Sequence, residues 1–188
     1  MMKAFLDDPA VKEKYVTRVK AHAEADEIIH GKYWQNGKGC AVGCTIHSGD
    51  HKAYEKELGL PEWLARLEDT LFEGMNNGKA KEFPLKFLQA IPVGVDLEPV
   101  RWKFCAFILR ENIKQVLSLK IPDELKEQVV KAIRQVLAVH KNAVKEGRFN
   151  RSAAESAWSA AESAWSAARS AAIDRYADEL LRLLKEGK

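Results

Sequence analysis

The sequence predicts an all-α protein: a helical domain of about five or six helices over residues 1–148, then one long Ala/Ser/Trp-repeat C-terminal helix over 149–188. Three observations carry this. Apolar residues recur at three- and four-residue spacing through most of the chain. Asp, Asn and Pro stand where helices begin, and glycine where they end. The last forty residues hold a seven-residue repeat rich in alanine, the best helix former.

The elements follow in order. Asp8 caps a helix whose first turn holds Pro9, and Gly31 ends it, so a helix is expected over about 9–30. Val11, Tyr15, Val19 and Ile29 share its apolar face, with Arg18, His22 and Asp26 on or beside it. Tyr33 and Trp34 lead into the turn-rich run at 35–39. A second helix opens near Gly39 or Cys40 and is interrupted around Ser48, Gly49 and Asp50. The third begins at Pro61. Trp63, Leu64, Leu67, Leu71 and Met75 form its apolar stripe, and Glu62, Arg66, Asp69 and Glu73 its other side. Asn76, Asn77 and Gly78 read as a stop, and 83–90 as a short helix. Asp96 caps a segment with Leu97, Val100, Phe104, Phe107 and Ile108 on one side. Helix is the reading there, although a buried strand has the same apolar content. Pro122 opens a helix with Leu125, Val129, Ile133, Val136 and Val144 on its core face, and Gly147 closes it.

In the tail, SAAESAW at 152–158 recurs at 159–165 and continues as SAARSAA at 166–172. Ser152 and Glu155 form a capping box. The period puts Trp158, Ala161, Trp165, Ala168 and Ala172 on one stripe. Large apolar residues alternating with small ones make a seam for another helix, either in this chain or in a second copy. A protein partner or homodimer through Trp158 and Trp165 is therefore expected.

The composition excludes several classes. Thirty Lys and Arg stand against 27 Asp and Glu, too even a balance to indicate nucleic-acid binding from net charge. No apolar run approaches the length of a membrane span. The first residues turn acidic before a signal peptide's apolar stretch is complete. Three cysteines provide no disulfide framework. A soluble, cytoplasmic protein is the expectation. Glycine-rich phosphate-loop signatures are absent. Residues 101–150 hold 11 Lys and Arg against 5 Asp and Glu, which suits either phosphate contact or a solvated basic face.

The densest chemistry lies at 40–51, where Cys40, Cys44, His47 and His51 follow the spacing C-x3-C-x2-H-x3-H. On a continuous helix these steps keep all four on one stripe. Thiolate and imidazole are the usual ligands of a closed zinc site. Four ligands on one straight helix cannot reach a single ion. Either the break at 48–50 folds His51 back, or His22, Asp26 or an acid of the Pro61 helix completes the set. Asp69 and Glu73, with Glu62 and Glu68 near, can bind a cation or form a solvated face. A cysteine-dependent enzyme is a second reading. A thiol at a helix start becomes a thiolate more readily, and His47 is spaced to pair with Cys40 or Cys44. Buried, chemically silent cysteines are the third. His22 and Asp26, one turn apart, suit an oriented imidazole or a surface pair.

The stretch GKGCAVGCTIHS at 37–48, with LGLP at 58–61, LED at 67–69 and IPVG at 91–94, resembles a group of uncharacterised bacterial and phage helical proteins, some ending in Ala-rich repeats. The resemblance covers residues 3 to about 110. It implies a shared domain and no particular activity, and leaves a phage-type regulatory or nucleic-acid-associated accessory role as a further reading.

Overall fold

A computed structural model describes residues 2–150 and 152, so the expected long repeat helix, with its Trp158 and Trp165 stripe and whatever partner that stripe meets, lies outside the described residues. Within them the fold is all-α: seven helices and one two-stranded hairpin. The chain divides into two units, 1–98 and 99–188.

In the first unit, α1 (Pro9–Glu24) starts as its residues dictate: the Asp8 carboxylate accepts from the Ala10 amide, and Pro9 needs no partner. It ends about two turns before Gly31. Asp26 adopts a left-handed conformation (φ 55°), and the chain beyond is taken up by the hairpin. There Gly39 N donates to Glu27 O, and Ile29 N donates to Gly39 O. The hairpin pairs β1 (Trp34–Gln35) with β2 (Lys38–Gly39) across Asn36 and Gly37, both at positive φ, as an Asn-Gly turn requires.

Helix α2 (Ala41–Ile46) follows at once and is wholly buried. Two glycines allow this. A Cβ on Gly39 would lie 2.1 Å from the Tyr33 carbonyl oxygen, and one on Gly43 only 1.4 Å from it. The hairpin backbone therefore rests directly on the helix. The short α3 (Ala53–Leu58) leads through Gly59 and Leu60 into α4 (Glu62–Gly74).

The buried face of α4 is Leu64, Ala65, Glu68 and Phe72, rotated from the expected stripe. The supposed stop at 76–78 is a start: the Asn76 side chain accepts from Lys79 N and caps α5 (Asn77–Ala90). Asn serves a helix start as readily as a turn. Helix α1 packs on α5 and α2, and α4 on α2 and α5. Phe5, Tyr15, Val19, Val42, Leu58 and Leu88 are among the core residues they enclose.

The second unit contains α6 (Glu98–Ser118) and α7 (Asp123–Glu146). The segment with strand-like content is helix, begun by Asp96, whose carboxylate accepts from Glu98 N. Gly147 (φ 67°) ends α7 as expected. Val129 and Val136 are buried as read, while Val144 is exposed and Val130, Ala132, Leu137 and Ala143 are buried. No helix among the described residues is long and apolar enough to cross a membrane.

Candidate metal centre

The cysteine–histidine stripe is not continuous. Cys40 is the N-cap of α2, its sulfur accepting from the Gly43 amide at 3.5 Å. Cys44 sits inside the helix. His47 is the C-cap in a left-handed conformation (φ 56°, ψ 35°), and His51 lies beyond the following turn. The helix ends before the spacing can bring four ligands to one face. They separate into three surroundings.

Cys40 meets α4. Its Sγ and one carboxylate oxygen each from Asp69 and Glu73 lie within 4.8 Å of one another. This group can hold a metal ion. Asp69 and Glu73 are one helical turn apart, so both reach the sulfur from one face of α4. Glu73 is held in place by the Gly31 amide, which lies 3.0 Å from both its oxygens. Asp69 Oδ2 faces His51 Nε2 at 3.5 Å, while Oδ1 is buried with no partner among the described residues. The His51 ring is buried and meets Tyr33 edge-on. Burial pushes the Cys40 thiol up to about 12, with the Asp69 carboxylate adding to the effect and the Gly43 amide opposing it. An ion must displace that proton, and its own charge is what makes the displacement favourable.

Cys44 faces away. Its thiol donates to Gly39 O at 3.3 Å and reaches Glu27 O at 3.7 Å, and burial pushes it up to about 12. With its proton held by carbonyls, it is placed as a buried apolar group.

His47 meets neither sulfur. Its Nε2 stands 2.8 Å from His22 Nε2, and its ring stacks on Trp34 with centroids 4.3 Å apart. His22 Nδ1 in turn bonds Glu27 Oε2 at 2.6 Å. The His22–Asp26 pair does not form, because Asp26, lying past the helix end, binds Lys81. A thiol nucleophile needs a lowered pKa and a base on its sulfur. Here both sulfurs are raised, and among the described residues neither bonds an imidazole.

Behind Cys40 lies a buried polar pair. Tyr54 donates to Glu68 Oε2 at 2.7 Å, and Glu68 Oε1 is buried without a partner among the described residues. Sequence spacing did not indicate Glu27 as a site residue, and it placed Glu68 only near the acids of a cation site or solvated face. Asp69 and Glu73 read equally well as solvated acids.

The basic region of the second unit forms a groove of about 470 Å³, edged by Arg110, Lys114, Arg134 and Lys141 over Ile113, Leu137 and Ala138. Its lining holds no aromatic ring for a base to stack on.

No family model, no curated protein and no solved structure matches the chain.

Proposed function

We propose that the protein is a small metal-binding helical module that takes zinc at Cys40, Asp69 and Glu73 and acts through protein–protein contact. The observation that carries the proposal is the meeting of one sulfur and two carboxylate oxygens within 4.8 Å, from two helices distant in sequence. One thiolate with carboxylates suits a borderline cation better than a hard one such as Mg²⁺ or Ca²⁺, which takes oxygen throughout. His51, beside Asp69, is spaced either to orient that carboxylate or to join the ion. The ion ties the start of α2 to α4, so its binding energy adds to folding energy. The protein contact is assigned from sequence to the Trp158 and Trp165 stripe, with a second copy of the chain as partner.

The test is elemental analysis of untagged protein, with melting curves before and after chelation. One zinc per chain and a lower melting temperature after chelation are expected. Cys40→Ser and Asp69→Asn should each lose the metal, and Cys44→Ala should retain it. Metal-free protein that gains no stability from added zinc overturns the proposal.

A further inference from the structure

We propose that His22 and His47 form a second cation site, separate from the Cys40 group, which takes a nitrogen-preferring divalent transition-metal ion between their Nε2 atoms. The proposal does not depend on zinc at Cys40.

The two Nε2 atoms face each other at 2.8 Å, with the rings at 80°. One must donate and the other accept. Glu27 settles which: its Oε2, 2.6 Å from His22 Nδ1, keeps the neutral ring's hydrogen on that nitrogen. His22 Nε2 is left with its lone pair, and His47 donates to it. A metal-bound histidine has this same arrangement, one nitrogen giving its hydrogen to a carboxylate and the other turned to the ion.

The second ligand is held as firmly. His47 keeps a left-handed backbone, a strained conformation for a residue with a Cβ. Its amide donates to Gly43 O at 2.8 Å, and its ring lies flat on Trp34. His22 meets the same indole edge-on. Both imidazoles are thus positioned against Trp34, which packs on the core of the unit. Burial, Arg18 and His22 hold the His47 imidazole below its ordinary pKa, with Glu27 and Glu57 pulling the other way.

The spacing indicates the kind of ion. Two nitrogens at right angles on an ion, with bonds of about 2.05 Å, stand about 2.9 Å apart, whereas a tetrahedral pair stands about 3.3 Å apart. The pair at 2.8 Å matches the right-angled geometry of Ni²⁺ or Cu²⁺ after the rings tilt, with little separation needed. Binding moves the His47 hydrogen from Nε2 to Nδ1 and releases no proton. Binding at the Cys40 thiol must release one.

Ni²⁺, which does not oxidise thiols, is the probe, titrated calorimetrically near neutral pH in two buffers of different ionisation enthalpy. One Ni²⁺ per chain should bind Cys40→Ser protein, which lacks the sulfur of the other group, with no proton released. His22→Gln and His47→Asn should each weaken it by at least about tenfold. Asn is tolerated in the left-handed region, which keeps the second variant folded. Ni²⁺ binding that vanishes in Cys40→Ser, or that releases a full proton in that variant, overturns the proposal. So does the absence of Ni²⁺ binding, or binding unchanged in both histidine variants.

Discussion

Tyr54 donates its hydroxyl to Glu68 across 2.7 Å where neither side chain touches water. Burial pushes the Glu68 carboxyl up to about 8; the tyrosine's bond lowers it, and the neighbouring Asp69 raises it further. The folded state therefore holds a proton that the unfolded chain releases in the ordinary carboxylate range. Stability from this group is complete below that range and is lost as pH rises toward about 8. A tenfold change in proton affinity corresponds to about 1.4 kcal/mol, so the loss across the window amounts to several kcal/mol. In metal-stripped protein, the urea midpoint should fall between pH 5 and pH 8, and Glu68→Gln should flatten that slope. An equal slope in both proteins would show that the carboxyl is not the group responsible.

The glycine of α2 leads to a sharper expectation. An alanine at position 43 would place its Cβ 1.4 Å from the Tyr33 carbonyl oxygen, a backbone atom that no side-chain rotation moves. Gly43→Ala should destabilise the first unit by about 3 kcal/mol or more, since the hairpin must lift from the helix. Gly74 is the contrast: nothing lies within 4 Å of its added Cβ. Gly74→Ala should be neutral or stabilise by up to about 1 kcal/mol. Chemical denaturation of the two variants checks both, and equal effects would overturn this account.

This close approach shows what the sequence could and could not reveal. Asp8, the Asn36–Gly37 turn and Gly147 act on backbone within a few residues of themselves, so each was readable where it stands. The spacing of Cys40, Cys44, His47 and His51 suggested one stripe because nothing local marks His47 as the residue that leaves the helix. Glu27 reaches His22 from beyond the helix end, and Asp69 reaches Cys40 from a helix 29 positions on. No helical spacing encodes either meeting. Glu68 was hidden differently: an acid counts as solvent-facing in any periodicity, so its burial turned the expected face of α4.

The repeat makes a prediction from sequence alone. Trp158 and Trp165 recur at seven residues with alanines between, and each tryptophan left in water forgoes roughly 2–3 kcal/mol. Replacing both by Ala retains helix propensity, so the change tests packing. If the stripe joins two copies, sedimentation should show a folded monomer for the double variant and a dimer for the wild type. An unchanged mass would remove the second copy as partner.

The cysteines should separate by accessibility. Cys40 and Cys44 are buried, each with its thiol pushed up to about 12. At pH 8 a thiol of that pKa is ionised on the order of one part in ten thousand, and the thiolate is the species that alkylates. Cys105 on α6 is half-buried; burial raises its thiol while the Arg101 guanidinium pulls the other way. In folded, metal-free protein at pH 8, iodoacetamide should therefore label Cys105 first. Cys40 and Cys44 should react only as denaturant opens the first unit. Mass spectrometry of timed digests reads the order directly. Fast labelling of Cys40 in native protein would mean that its thiol ionises readily, restoring the nucleophile reading and removing the physical basis for a closed metal site.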